Sequence, residues 1–244
     1  MMTANITSAL DGKIWSIGIH RPEKRNGLNG TMFDALANAL LLAQDDLRVH
    51  CILLHGTDDA FCAGHDTAAF GSLWPQATDG AVARCINAFA TQPKPIVAAV
   101  NGAAVGFGAT MLLHADWVVA GESARFRFPF ADLGIVPEAG ATALLARRVG
   151  DLVARDWLLS GREIRPDEAL RCGFISRVVR DDDVRRTASD YAARLASKPP
   201  GALQDTRRLL CEGSTLPAVK AIEGEFAYLN AYIPAISWRS IPHG

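Results

Sequence analysis

Residues 96–108 read IVAAVNGAAVGFG, and this stretch of sequence decides the fold class. Its first five residues form a short apolar run of Ile, Val and Ala, which predicts a buried β-strand over 96–100. The glycines that follow predict a turn into a short helix extending through Leu113, and the apolar run 117–120 predicts the next strand. Strands that alternate with helices pair in parallel through right-handed crossovers, so the sequence predicts an α/β fold.

The same alternation extends on both sides of this stretch. Apolar runs and turn residues predict two earlier strands, a helix capped by Thr31, a loop and a further helix before residue 96, and mainly helices after Pro137. The earlier strands are predicted over 14–19 and 51–54, the loop over 71–80 and the further helix over 81–91. The later helices are predicted over 138–149, 152–159, 166–171, 181–197, 199–211 and 215–232.

Composition excludes several classes of protein. The chain has 244 residues, 49% of them hydrophobic, which is enough to bury the core of one large domain. Its 25 Lys and Arg residues nearly balance 26 Asp and Glu residues, so we expect no nucleic-acid partner and no membrane-binding patch. Five scattered cysteines without a C-x-x-C pair predict reduced thiols and no metal site. With no export signal visible, we expect a cytoplasmic location.

Two glycine-containing turns are candidates for chemistry. One is residues 63–66 (Ala-Gly-His-Asp) and the other is residues 106–108 (Gly-Phe-Gly), and each joins a strand to a helix. Such turns leave main-chain N–H groups without partners at the start of the helix. If the two turns face one cleft, these N–H groups form an oxyanion hole, which stabilises a developing enolate. Taken alone, each turn is equally explained as an ordinary loop.

Five segments carry a resemblance to a known family. They read RPEKRNGLN at 21–29, FCAGHD at 61–66, AAVNGAAVGFG at 98–108, FPFADLGIVPE at 128–138 and LSGR at 159–162. In order and spacing they resemble the crotonase (enoyl-CoA hydratase/isomerase) family, over about residues 10–200. The resemblance implies a crotonase-like spiral of ββα units over 1–195 and a C-terminal helical oligomerisation region over 196–244. It also implies assembly as a homotrimer or hexamer.

The resemblance further implies the parts of a site. The oxyanion-hole donors are then the main-chain N–H groups of His65 and Phe107, whose side chains are free to vary because the donors belong to the backbone. The substrate is an acyl-CoA thioester, and no separate cofactor is expected because coenzyme A is part of the substrate. The cations Lys24 and Arg25, which follow the predicted strand over 14–19, are placed to pair with CoA phosphates or, alternatively, lie in a solvated loop. The implied substrate-binding residues are Lys24, Arg25, Ala63, Gly64, Asp66, Gly106, Phe130 and Leu133.

The choice of reaction depends on three positions. Hydratases of this family use two glutamates, and Thr110 and Phe130 occupy those positions here. Neither side chain can act as a general base, so hydration through that pair is not expected. The remaining carboxylate is Glu138, which matches the proton-transferring glutamate of the Δ3,Δ2-enoyl-CoA isomerase branch. We therefore expect an isomerase in which Glu138 is the acid/base and apolar walls raise its pKa.

Simpler roles for the acidic residues stay open at this point. Glu138 is also explained by the preference for acidic residues at the N-terminus of a helix. Asp66 is expected mainly to cap the helix after the first glycine turn. Asp132 is expected to be solvated or, in the alternative, to orient Glu138 or a water.

Other functions also stay open. The chain is alternatively a hydratase-like enzyme with atypical residues, or a non-catalytic homologue that binds acyl-CoA or protein. A dinucleotide-binding dehydrogenase is a weaker alternative: residues 106–108 and Glu122 superficially match its fingerprint, but Met111 replaces the third glycine. The C-terminus departs from the family pattern, and there Ile236 and Trp238 are candidates for packing on a neighbouring subunit.

Overall fold

The computed structural model describes residues 5–74, 77–213 and 218–232, and the chain divides into two compact units, Met1–Ser197 and Lys198–Gly244. The strands of the first unit are β1 (Ile6–Asp11), β2 (Ile14–Ile19), β3 (Cys51–His55), β4 (Ala60–Cys62), β5 (Ile96–Val100), β6 (Ala103–Val105), β7 (Trp117–Gly121), β8 (Arg125–Arg127), β9 (Glu163–Ile164) and β10 (Arg177–Val179). Its helices are α1 (Gly30–Asp45), α2 (Thr67–Leu73), α3 (Ala81–Ala90), α4 (Phe107–Thr110), α5 (Ala141–Val149), α6 (Asp151–Ser160), α7 (Pro166–Arg171) and α8 (Val184–Ala196). Short 3-10 turns cover Pro22–Lys24, Met111–His114 and Asp181–Asp183.

Six strands form the larger sheet, in the order β1-β2-β3-β5-β7-β10. Neighbouring strands are parallel, except that β1 runs antiparallel to β2. Successive side chains of a strand point to opposite faces. In β3, Ile52 and Leu54 therefore join the core shared with α1, whereas Cys51 and Leu53 join a second cluster shared with α8. Because helices cover both faces, the central strands are apolar throughout rather than alternating.

Four short strands form the smaller sheet, in the order β4-β6-β8-β9. The first three are parallel, and β9 pairs antiparallel with β8. Along the chain β3 leads to β4, β5 to β6 and β7 to β8, and a helix follows each pair. This repeat confirms the predicted α/β fold built from ββα units. It also places the two glycine turns at equivalent points, directly after β4 and β6.

Strands of the smaller sheet are absent from the sequence prediction. Each has only two or three residues, which is too short to show an alternating pattern. The predicted loop over 71–80 is also wrong at its start, because α2 extends to Leu73. Both helices that follow the glycine turns are short, with seven residues in α2 and four in α4. Local backbone geometry therefore matters more at these turns than the dipole of a long helix.

Two predicted helix starts are corrected. Asn29, rather than Thr31, caps α1, because its side chain accepts a hydrogen bond from the Met32 N–H at 3.0 Å. α5 begins at Ala141, three residues later than the predicted helix over 138–149. The delay has a backbone cause: Ala139 has a φ of 54°, which is incompatible with a right-handed helix.

The second unit is helical. It contains α9 (Pro200–Gly213) and α10 (Ala218–Tyr232), which contact each other. The Arg208 guanidinium lies 5.0 Å from the centre of the Tyr228 ring, a cation–π contact between the two helices. The predicted start of the last helix at residue 215, and the predicted packing of Ile236 and Trp238, fall outside the described residues. Throughout the described ranges, every helix is too short or too polar to traverse a bilayer.

Candidate active site

The first glycine turn connects β4 to α2 and is held by main-chain hydrogen bonds on both sides of His65. The Leu28 N–H donates to the Gly64 carbonyl at 2.7 Å, and the Asp66 N–H donates to the Leu28 carbonyl at 2.8 Å. These two hydrogen bonds form a parallel β-bridge between Leu28 and His65, and in such a bridge the N–H of His65 points away from Leu28. Within the described part of the chain it has no acceptor. The turn therefore presents one unpaired main-chain donor.

The second glycine turn connects β6 to α4 in a comparable way. Gly106 has a φ of 54° and a ψ of −120°, a conformation that favours glycine. Its N–H donates to the Arg127 carbonyl at 3.0 Å, and its carbonyl accepts from the N–H groups of Ala109 and Thr110. Phe107 is the first residue of α4, and among the described residues no acceptor lies within hydrogen-bond distance of its N–H. A second main-chain donor is thus unpaired.

The two turns pack directly against each other. A Cβ atom added to Gly64 would lie 2.6 Å from the Val105 carbonyl oxygen and 3.2 Å from the Phe107 nitrogen. A Cβ atom added to Gly108 would lie 2.0 Å from the Cys62 carbonyl oxygen. Real Cβ atoms do not approach so closely, so only glycine permits this contact between the two backbones. The structure therefore brings the predicted donor residues of both turns into one place.

A buried asparagine fixes the loop that supports the first turn. The Asn26 amide donates to the carbonyls of Ala60 and Phe61 at 2.6 and 3.2 Å, and its oxygen accepts from the Arg21 N–H at 2.7 Å. Asn26 has a φ of 60°, a region that Asn tolerates better than most residues. Asn26 lies within one of the family-like segments, over 21–29, but the sequence predicts no role for it. Its only sequence signal is an Asn-Gly pair at a turn.

Charged residues near this loop divide into paired and exposed groups. Asp66 caps α2 by accepting from the Ala68 N–H at 3.1 Å, and it pairs with Arg21 at 2.9 Å. The Ala68 hydrogen bond and the Arg21 guanidinium lower the pKa of the Asp66 carboxyl. The predicted N-cap is thereby confirmed. Lys24 and Arg25 have exposed side chains, whereas the Arg25 carbonyl accepts from the Ala63 N–H of the first turn at 3.0 Å.

Glu138 lies in the loop before α5, and its two carboxylate oxygens have different surroundings. Oε1 accepts a hydrogen bond from the Thr110 hydroxyl at 2.6 Å. Oε2 is buried and has no hydrogen-bond partner among the described residues. Burial raises the pKa of Glu138 to about 7, although the Thr110 hydrogen bond lowers it in part. Glu138 is thus a carboxyl group that can both accept and donate a proton near neutral pH.

The helix-terminus explanation of Glu138 is not supported. Gly140 precedes the first residue of α5, so Glu138 lies outside the first turn of that helix. The Glu138 main-chain carbonyl accepts from the Ala141 N–H, but its side chain points to Thr110 instead. A carboxylate that only favoured a helix N-terminus would bond to that helix or face solvent.

The His65 ring lies within a group of aromatic side chains. The centre of this ring lies 4.6 Å from that of Phe33 and 6.2 Å from that of Phe107. The ring centres of Phe70 in α2 and of Trp74 at the C-terminal end of α2 lie 5.2 and 6.5 Å from it. Burial lowers the pKa of His65 to about 4, so the imidazole is neutral at physiological pH. Its Nε2 atom has no hydrogen-bond partner in the described part of the chain. The ring is therefore a neutral group packed among aromatic side chains and not a charged catalytic group.

The loop between β8 and Glu138 holds the remaining predicted residues. Phe130 is buried, whereas Leu133 is 60% exposed. Asp132 pairs with Arg127 at 2.9 Å, so its carboxylate braces this loop rather than orienting Glu138. The Arg127 side chain also donates to the Gly161 carbonyl at 2.6 Å. These bonds fix the chain that leads to the candidate base.

The residue that sequence reasoning missed is Thr110. Its side chain cannot act as a base, yet it is fully buried and donates a hydrogen bond to Glu138. The two residues are 28 positions apart, so no local pattern links them. In the described ranges, no group of three or more His, Cys, Asp or Glu side chains is arranged to hold a metal ion.

Comparisons with known proteins give similar chains and a similar fold. The family model for enoyl-CoA hydratase/isomerase matches residues 10–239. The chain is 33% identical to the 1,2-epoxyphenylacetyl-CoA isomerase of Escherichia coli K12 (92% of this chain, 89% of the relative). It is 35% identical to the 2,3-dehydroadipyl-CoA hydratase of the same strain (81% and 78%). The crystal structure of an enoyl-CoA hydratase/isomerase from Pseudoalteromonas atlantica T6c superposes with a TM-score of 0.81, at 36% identity over 91% of this chain and 86% of that one.

Proposed function

This chain belongs to the enoyl-CoA hydratase/isomerase family, whose members act on acyl-CoA, and from that premise we propose that it is an enoyl-CoA isomerase. It moves a double bond from position 3 to position 2 of an enoyl-CoA thioester, with Glu138 as the single acid/base. The observation that carries the proposal is the half-buried Glu138 side chain, whose Oε2 atom is buried without a partner in the described chain and whose pKa is raised by burial to about 7. Among the relatives, one is named as an isomerase of a different acyl-CoA and others are named as hydratases, so the choice of reaction rests on the residues of this chain.

Thioester activation is assigned to the two glycine turns. The thioester oxygen accepts hydrogen bonds from the main-chain N–H groups of His65 and Phe107, which lack protein acceptors in the described residues. These donors stabilise the negative charge that develops on this oxygen when the substrate loses a proton. Gly64 and Gly106 supply the backbone conformations that leave the donors unpaired. The exposed cations Lys24 and Arg25 are proposed to pair with CoA phosphates.

One carboxyl group carries out both proton transfers, first as a base and then as an acid. The ionised Glu138 removes a proton from C2 of the 3-enoyl thioester, and the electron pair of the broken C–H bond moves into a dienolate. The protonated Glu138 then returns the proton to C4, which restores the thioester carbonyl and places the double bond between C2 and C3. No atom is gained or lost. A carboxyl with a pKa near neutral suits both steps because it is neither too weak a base nor too weak an acid.

Hydration is the competing reaction in this family. A hydratase must also position and activate a water, and its two glutamates correspond to Thr110 and Phe130 here. Phe130 is buried and apolar, and the Thr110 hydroxyl donates a hydrogen bond to Glu138. These residues favour isomerisation over water addition. Assembly as a homotrimer or hexamer stays a prediction.

Purified protein assayed with 3-enoyl-CoA and 2-enoyl-CoA esters side by side tests this function. We expect conversion of the 3-enoyl ester to its 2-enoyl isomer and no formation of 3-hydroxyacyl-CoA from the 2-enoyl ester. Chromatography of the CoA esters distinguishes the two products. Hydration at a comparable rate would support the hydratase alternative, and binding without turnover of either ester would support a non-catalytic homologue.

The pH dependence of the reaction gives a second test. Only ionised Glu138 can remove the substrate proton, and its pKa is raised from 4.5 to about 7. We therefore expect kcat/KM for isomerisation to rise as the pH increases through about 7 and then to level off, since this parameter reports groups of the free enzyme. Initial rates at subsaturating ester between pH 5.5 and 8.5 measure the profile. A rate that is already constant at pH 5.5 would contradict Glu138 as the base.

A further inference from the structure

Helix α4 joins the proposed oxyanion donor to the proposed base. Its first residue, Phe107, carries one unpaired N–H, and its last residue, Thr110, carries the hydroxyl that bonds Glu138. Thr110 and Phe107 are both buried, so the single turn between them is enclosed by protein. The separation between the hole and the base is therefore set by one helical turn and one hydrogen bond.

The Thr110 hydroxyl has one proton and two nearby acceptors. Its oxygen lies 2.6 Å from Glu138 Oε1 and 3.3 Å from the Phe107 carbonyl oxygen. The shorter bond to the carboxylate is charge-assisted when Glu138 is ionised, so it is the stronger of the two. With Oε1 engaged in this way, Oε2 is left without a protein partner in the described chain. The two carboxylate oxygens are thus made chemically different by their neighbours.

We propose that Thr110 is a positioning residue, which holds Glu138 through Oε1 so that Oε2 alone removes and returns the substrate proton. The assignment rests on the proposed function of Glu138. Without this bond, the carboxylate would rotate about its terminal torsion, which is broad for Glu side chains. Both oxygens would then share the task, and neither would be held at the distance that proton transfer requires.

A neutral hydroxyl also suits this position electrostatically. The titratable groups that interact with Glu138 in this region are the thiols of Cys62 on β4 and Cys85 on α3. Burial raises the pKa of Cys62 to about 12 and also raises the pKa of Cys85 well above its ordinary value, so both thiols are neutral. His114 contacts the neighbouring Ala139 carbonyl at 3.0 Å. Among the described residues, these neutral groups place no second negative charge beside Glu138, unlike an enzyme with a carboxylate at position 110.

Thr110→Val and Thr110→Ser test the proposal because Val keeps the shape of Thr and Ser keeps only its hydroxyl. We expect Thr110→Val to lower kcat for isomerisation about ten- to hundredfold with KM little changed, as for a misplaced catalytic group. The inflection of its pH profile should move to higher pH, because the Thr110 hydrogen bond favours the ionised carboxylate. Thr110→Ser should stay within a few-fold of the unmodified enzyme. Thr142→Val, an exposed position on α5, controls for the change of residue type.

A measurement independent of turnover separates this proposal from the proposed function. Infrared difference spectra, with the Glu138→Gln spectrum subtracted, follow protonation of the Glu138 carboxyl as the pH changes. A titration midpoint that rises in Thr110→Val but not in Thr110→Ser supports the role of the hydroxyl, even if no isomerase activity is found. Equal midpoints in all three proteins, or equal loss of kcat in the Val and Ser variants, would overturn it.

Discussion

Replacing Glu138 by Gln is expected to lower the rate of double-bond migration at least hundredfold, within the range of about 10²–10⁴ typical of a general base. The amide is nearly isosteric with the carboxyl group and can still accept the hydrogen bond from Thr110. Binding of the CoA ester should therefore be kept, since the proposed oxyanion donors belong to the two glycine turns. Steady-state rates and calorimetric titration with a non-reactive acyl-CoA measure the two properties separately.

Glu122→Gln is the matched control for this substitution. Glu122 is an exposed glutamate after β7, and it is the acidic residue required by the dinucleotide-binding alternative. We expect Glu122→Gln to leave isomerisation unchanged. If Glu138→Gln kept full activity, the proposed base would be wrong, and the protein would need another acid or a non-catalytic role. If only Glu122→Gln lost function, the dehydrogenase alternative would regain support.

Replacing Gly64 by Ala is expected to have the next largest effect. Gly64 has a φ of 84°, which strains any residue with a side chain. The added methyl would also lie 2.6 Å from the Val105 carbonyl oxygen and 3.2 Å from the Phe107 nitrogen, both in the backbone of the second turn. The turns must separate to admit it, which moves the donors away from the thioester oxygen. Loss of one such donor typically lowers kcat about 10²–10³-fold.

Gly71→Ala provides the comparison for the Gly64 variant. Gly71 lies in α2, has no heavy atom within 4 Å of an added Cβ, and has an ordinary backbone conformation. Ala should be neutral or slightly favourable at this helical position. Thermal unfolding of both variants distinguishes a displaced hole from a general loss of fold. A Gly64→Ala enzyme with normal kcat would show that the two turns do not form the hole.

The elements predicted most accurately from the sequence are those with a strong local signal. The strands over 14–19 and 96–100 and the helix over 166–171 match the structure at both ends. These elements are determined by local apolar patterns, or by Pro166 at a helix start. The strands of the smaller sheet are too short to carry such a pattern, and Ala139 adopts a positive φ that no propensity for Ala indicates.

The candidate site was predictable in its main-chain parts and not in its side-chain contacts. Glycine positions located both turns, because glycine is the residue that such backbone conformations require. The contact between Thr110 and Glu138 depends on how α4 packs against the loop before α5. Likewise, the aromatic group around His65 is assembled from α1, α2 and α4. Residues that meet only through tertiary packing leave no signal in one sequence.

The tight approach of Gly108 to the Cys62 carbonyl has a consequence for how this protein can diversify. At position 108, any mutation that adds a side chain collides with neighbouring backbone, so selection should remove it. At position 107 the proposed donor is an amide shared by every amino acid except proline, so its side chain is constrained by packing in the buried core and not by the donor itself. Adjacent codons therefore experience different evolutionary pressures. The proposed oxyanion hole can be inherited intact while residue 107 exchanges with other side chains that fit the same space in the core.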